Sequence, residues 1–239
     1  MPSPRVQRFR RHGAHAIAVA GDLGYRGAQR VSQVLAPNGG GPSLSGDRWV
    51  EWSYCMSRLS EGPGRTLDFG AGNGFLALAA AHRGHDVDAF DRLPSEAEFA
   101  HPRVRTVEAD VLTFDFGDRR YDQIINCSSI EHVGLGGRYG SSDAPDGDLE
   151  AMGVMRGTMV PEGRMILTIP VGRDLVPAPL HRIYGDARLP RLLDGFATLE
   201  EQYWQKDGGL WRQTERGRAL DVVGSESFYA LGLFVLGLG

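Results

Sequence analysis

The stretch Arg65 to Leu76, reading Arg-Thr-Leu-Asp-Phe-Gly-Ala-Gly-Asn-Gly-Phe-Leu, limits the fold more than any other part of the chain. Thr66 to Phe69 reads as a short buried strand, and Phe75 to His82 as a short alanine-rich helix. Between them lie Gly70, Ala71, Gly72, Asn73 and Gly74, which form a tight turn. Glycine at every second position opens backbone conformations closed to other residues and lets a ligand approach the main chain. A strand feeding such a turn and then a helix is a cofactor cradle, because the helix N-terminal amides face outward there. Asp68 stands two residues before the first glycine, near the carboxyl end of the strand. Its carboxylate can accept hydrogen bonds from an ammonium or a hydroxyl group.

The pattern Asp68-x-Gly70-x-Gly72-x-Gly74 differs from the dinucleotide fingerprint, which spaces its last two glycines by three. It resembles the first motif of the class I S-adenosylmethionine (SAM) dependent methyltransferases. The resemblance implies that Asp68 and the backbone of Gly70, Ala71, Gly72, Asn73 and Gly74 hold the methionine end of SAM.

The acids downstream fit that resemblance. His85 to Asp91 reads as a second strand whose last residue, Asp91, lies 23 residues beyond Asp68. An acid about 20 residues on, at the tip of a second strand, can bind both ribose hydroxyls of a nucleoside, in SAM and NAD alike. Arg92 and Leu93 follow and are placed to contact the adenine face. Val104 to Asp110 reads as a third strand, with Val111 after it. In the resembled family an acid at the position of Asp110 accepts from the adenine amino group, while the next amide, here that of Val111, meets a ring nitrogen. NAD folds have less need of an acid there, so Asp110 favours SAM.

Tyr121 to Cys127 reads as a fourth strand. Strands of open α/β sheets end at the ligand crevice, so Cys127 and Ser128 are expected beside the cofactor, and Ser128 to His132 facing its methyl group. The run Ser128-Ser-Ile-Glu-His-Val-Gly134 resembles the family's fourth motif. His132 is the best general-base candidate, since its unperturbed pKa lies near working pH. Its alternative is a histidine that only positions the loop. Glu131 can orient that histidine, bind a substrate hydroxyl, or serve the helix start. Two such ligands do not make a metal site, and no metal is expected. The longer phrase Glu131 to Gly140 is similar to a bacterial group of methyltransferases linked to glycan or natural-product assembly. Arg138, Tyr139 and Asp143 in that loop offer the mixed donors and acceptors a polyol needs.

Asp148 is expected to cap a helix running to Met159, which Pro161-Glu-Gly163 ends before a fifth strand over Arg164 to Pro170. Leu189 to Leu193 reads as a short helix, Phe196 to Lys206 as a sixth strand with Leu210 to Thr214 pairing back, and Phe228 to Leu238 as the last strand. Late strands without a long helix between them fit the antiparallel C-terminal hairpin of a methyltransferase sheet. The expected fold is therefore α/β and Rossmann-like: a mixed seven-stranded sheet flanked by helices over residues 45–239, after an N-terminal extension over residues 1–44. That extension holds Arg5, Arg8, Arg10, Arg11, Arg26 and Arg30 and reads as a surface arm, a lid over the substrate, or a contact in a homodimer. Asp47 is expected to cap a helix through Leu59, with Trp49, Trp52, Tyr54 and Met56 on it.

Composition narrows the partners. A net charge of −4 gives no overall basic field for a nucleic-acid backbone. Cys55 and Cys127 are too few for a disulfide framework or a zinc set. No apolar run reaches the roughly 20 residues that cross a bilayer. Ala14 to Ala20 after the first arginines mimics a signal segment but is interrupted by His15, and a cytoplasmic location is expected. Taken with the resemblance, the expected activity is methyl transfer from SAM to an oxygen or nitrogen of a small molecule. RNA or protein acceptors, a non-catalytic SAM binder and an NAD-dependent oxidoreductase are the competing readings.

Overall fold

The computed structural model describes residues 46–136 and 143–239. The expectations for the N-terminal arm and for Arg138 and Tyr139 lie outside those residues. The chain runs through β1 (Gly64–Phe69), β2 (His85–Asp91), β3 (Val104–Glu108), β4 (Tyr121–Cys127), β5 (Met159–Val171), β6 (Phe196–Asp207), β7 (Leu210–Thr214) and β8 (Ala230–Leu238). All eight join one sheet in the order β3-β2-β1-β4-β5-β8-β6-β7. The first five strands are parallel where they pair, and β8 enters antiparallel between β5 and β6. The expected sheet has seven strands; the described residues give eight because Leu210 to Thr214, expected to pair back on the sixth strand, does so as the edge strand β7.

The helices lie on two faces. α1 (Asp47–Arg58) and α2 (Phe75–His82) cover one, and α3 (Gly147–Gly157), α4 (Arg188–Leu192) and α5 (Arg216–Leu220) cover the other. Alternate residues of each parallel strand feed the two layers: Leu67 and Ile124 face α3, while Val87, Ile125 and Ile166 face α1 and α2. Among the described residues, no helix bridges β2 to β3 or β3 to β4. Aromatic rings fill that corner instead. Phe90, Phe114 and Phe116 meet with centroids 4.9–5.6 Å apart, and Tyr121 closes the cluster at 6.5 Å from Phe116.

Several element ends differ from the sequence reading. Gly46, in a left-handed conformation with φ 83°, is the N-cap of α1; Asp47 is its first helical residue and accepts from the Arg48 amide. The N-cap of α3 is Asp146, and Asp148 is fully buried inside the first turn. The third strand stops at Glu108, so Asp110 opens a turn. Pro161 to Gly163 does not separate helix from strand. α3 ends at Gly157, and β5 already pairs with β4 at Met159–Tyr121 before a register shift resumes it at Arg164–Gln123. Proline has no N–H for the ladder, so a strand containing it bulges where it sits. Among the described residues, no helix is long and apolar enough to cross a membrane.

Candidate functional site

Chain order reverses between β1 and β4, since β2 and β3 build outward on one side of β1 and β4 returns on the other. Ligands of open α/β sheets bind at such a switch point. The register aligns the strand tips there: Phe69 stands beside Phe90 on one side and Asn126 on the other, and Asp91 beside Glu108. Asp68, Asp91 and Asp110 therefore step along one rim. Beneath them opens a cleft of about 460 Å³, within the range for small-molecule and cofactor sites.

The glycine turn forms the floor of this cleft. Gly70 has φ 71°, and a Cβ there would sit 2.1 Å from Ser129 Oγ, so only glycine fits between the tips of β1 and β4. A Cβ on Gly72 would meet nothing, which leaves open space above the turn. The Gly70 and Ala71 amides donate to Phe90 O at 2.8 and 3.1 Å, fastening the turn to β2. Asn73 Oδ1 accepts from the Phe75 amide, and Gly74 is the N-cap of α2.

The three acids differ in their surroundings. Asp68 is 2% exposed, and its Oδ2 has no hydrogen-bond partner. Burial lifts its pKa to about 7; the Ala77 amide pulls it back down, and the charge of Asp91 adds a smaller upward push. Asp91 accepts from the Gly72 amide through Oδ2 and from the Leu93 amide through Oδ1, both at 2.9 Å. Asp110 forms a close ion pair with Arg92, and its Oδ1 takes the Leu112 amide at 3.0 Å. A carboxylate has about four lone-pair positions, so Asp91 and Asp110 retain acceptor capacity for a ligand.

At the tip of β4 the chain takes a left-handed step at Ser128, φ 48°, the one non-glycine positive φ among the described residues. Its amide donates to Thr168 O at 3.0 Å, and its hydroxyl forms a short hydrogen bond with Glu51. Ile130–His132 then forms one turn of 3₁₀-helix. His132 Nδ1 lies 2.6 Å from Leu180 O. A carbonyl can only accept, so Nδ1 carries the proton, and the lone pair of the neutral ring sits on Nε2. Glu131, 2% exposed, places Oε1 3.7 Å from that Nε2.

Of the residues singled out in the sequence, Asp68, Gly70, Ala71, Gly72, Asn73, Asp91, Arg92, Asp110, Val111, Cys127, Ser128 and His132 all line the cleft, as does Leu93. Gly74 and Glu131 lie off the lining: the first caps α2 and the second sits behind the histidine. Asp143, on the edge of the undescribed loop, does not line it either.

Arg48 and Glu51 escaped the sequence reading, and Trp52 and Arg182 lie outside its motifs. Arg48 lines the cleft from α1. Trp52, one of the aromatics noted on that helix, stacks on Phe75 at 4.7 Å. Glu51 is wholly buried on the same helix face as Asp47, Tyr54 and Cys55; that spacing was the available signal. Arg182, 1% exposed, donates from its backbone N to Glu131 O at 3.0 Å and from Nη1 to Val133 O. It holds the His132 turn from behind and is itself held by Asp148, whose Oδ1 lies 3.6 Å away. Among the described residues, no group of three or more His, Cys, Asp and Glu is placed to hold a metal ion.

A family model described as "Caenorhabditis protein of unknown function, DUF268" matches residues 102–209. No curated protein matches the chain. Many solved structures share its architecture. One is the 1,6-didemethyltoxoflavin-N1-methyltransferase of Burkholderia thailandensis, crystallised with 1,6-didemethyltoxoflavin and S-adenosylhomocysteine. It is 19% identical with a TM-score of 0.54, over 94% of this chain and 89% of that one. Another is the N-methyltransferase NodS of Bradyrhizobium japonicum with S-adenosylhomocysteine, 14% identical with a TM-score of 0.54, over 85% of this chain and 90% of that one. At these identities the likeness is one of fold: a Rossmann-like α/β domain with the mixed sheet and antiparallel C-terminal strands of class I methyltransferases.

Proposed function

We propose that this protein is a SAM-dependent methyltransferase acting on an oxygen or nitrogen of a small molecule. The observation that carries the reading is the convergence of Asp68, Asp91 and Asp110 with the glycine turn on one cleft at the switch point. The residues suit an adenosyl sulfonium. Asp68 has an unpartnered buried oxygen for an ammonium, Asp91 lies on the rim for ribose hydroxyls, and Asp110 with the Val111 amide lies beside Arg92 and Leu93 for the adenine. SAM supplies a methyl group that is already electrophilic, so the protein's task is to align a nucleophile with it.

His132 stands on the lining with its basic nitrogen directed by the Leu180 bond. For a hydroxyl acceptor it removes the proton during attack, and Glu131 steadies the imidazolium that forms. For an amine that is neutral at working pH, positioning by Ser128, Ser129 and His132 suffices. A small acceptor is supported by the size of the cleft, by the net negative charge, and by the toxoflavin precursor bound in the Burkholderia relative. The glycan or natural-product class belongs to this proposal as well.

Titration calorimetry tests it. S-adenosylhomocysteine should bind with micromolar affinity and NAD should not. Asp91→Ala should weaken the binding by about 1–3 kcal/mol, the cost of leaving ligand hydroxyls unsatisfied. A wild-type protein that binds NAD and not the adenosyl thioether would end the reading.

A further inference from the structure

The amino-acid end of an adenosyl thioether carries a carboxylate as well as an ammonium, and Asp68 answers only the ammonium. Resting on the reading above, we propose that Arg48 binds that carboxylate and that Glu51 is the positioning residue that aims it. No sequence motif contains either residue; the tertiary structure brings them to the cleft.

Arg48 enters the cleft from α1, with its side chain 47% exposed. Its Nη1 donates to Glu51 Oε2 at 2.9 Å and lies 3.9 Å from Cys127 Sγ at the tip of β4. The Nε and Nη2 donors have no acceptor among the described residues. That free edge of the guanidinium is the one that matches a carboxylate with two parallel hydrogen bonds.

Glu51 is 0% exposed, and both its oxygens are committed. Oε2 holds Arg48, while Oε1 takes Thr168 Oγ1 at 2.8 Å and the Ser128 hydroxyl. One carboxylate thus ties α1 to the ends of β4 and β5. It also pins Ser128, whose left-handed backbone persists only where the surroundings over-determine it.

Stability alone is a poor reason for this arrangement. A buried carboxylate loses its hydration and gains little net free energy from an ion pair, and a half-exposed arginine contributes little as a structural partner. A guanidinium held by a fixed carboxylate, with its remaining donors turned to a nucleoside cleft, is suited to reading an anionic group.

The test compares S-adenosylhomocysteine with 5′-methylthioadenosine, which has the same nucleoside and thioether sulfur but no amino-acid group. Calorimetry on the full chain should show Arg48→Ala losing about 10- to 100-fold in affinity for S-adenosylhomocysteine, the range for hydrogen bonds to charged groups. Affinity for methylthioadenosine should stay at the wild-type value, which also reports that the cleft is intact. Arg48→Lys should recover part of the loss, since it restores charge without the fork. Glu51→Gln, which keeps an acceptor for Ser128 and Thr168 but not the charge, should lose affinity for S-adenosylhomocysteine alone. Equal affinities of Arg48→Ala and wild type for S-adenosylhomocysteine would overturn this inference and leave the methyltransferase reading standing. Parallel losses for both ligands would likewise assign Arg48 a structural role. Failure of the wild-type protein to bind either ligand would remove both readings.

Discussion

Asp68 shows how a single buried carboxylate can link pH to both stability and binding. Its pKa is raised to about 7, above its unfolded value near 3.8, so between those values the folded chain binds more protons than the unfolded one. The stability this group contributes is complete below the unfolded pKa and is lost as pH rises toward about 7. Asp68→Asn should therefore gain on the wild type over that interval and level off above it, as read from urea midpoints at a series of pH values. Binding has the opposite sign, because a ligand ammonium is held by the ionised carboxylate. Affinity for S-adenosylhomocysteine should strengthen as pH rises through about 7 in the wild type and stay flat in Asp68→Asn. His132 is tested by a different separation. If it is the base, His132→Ala should lower methyl transfer about 10²-fold for an acceptor the wild type turns over, with cofactor affinity unchanged. Near-normal turnover would leave it a residue that shapes the loop.

The site depends on elements that do not touch the cleft. The His132 turn leans on Arg182 from β5's following loop, and Arg182 leans on Asp148 in α3. Asp148 also takes Arg188 Nε at 2.9 Å and the Tyr184 hydroxyl at 3.1 Å. Removing one partner of a buried pair leaves an uncompensated charge, so Asp148→Ala should cost about 3–5 kcal/mol in chemical denaturation. A loss under about 1 kcal/mol would mean that water or the remaining acceptors satisfy Arg182 in the variant. In the sequence Asp148 looked like a helix cap, because acids near helix starts usually are. Its burial depends on two arginines some 34 and 40 residues later, which no local pattern announces. The strand, glycine turn and helix at residues 64–82 were legible because their signals, an apolar run, three alternating glycines and an alanine-rich stretch, are contiguous in the chain.

For the molecule as a whole, binding at the switch point should couple to folding, since the cleft is built from β1, β2, β4 and α1 together. At a hundred times its dissociation constant, S-adenosylhomocysteine should add about 2.7 kcal/mol of stability, a rise of roughly 5–10 °C in melting temperature for a domain of this size. A melt that does not move in the presence of a calorimetrically bound ligand would imply equal affinity for the unfolded chain. The sequence by itself determined the α/β class, the glycine turn and the acids at the ends of β1 and β2; in it Asp110 reads as the last residue of the third strand, two residues past where β3 stops. These follow from short-range rules: apolar runs bounded by turns, glycine where the backbone needs it, and strand tips that end at a crevice. Only the tertiary structure decided that aromatic rings close the corner beside β3, that Arg48 lines the cleft with the buried Glu51 bound to it, and that Arg182 is buried behind the His132 turn. Those outcomes rest on contacts between residues far apart in the chain, where burial converts an ordinary charged side chain into one that must find a partner.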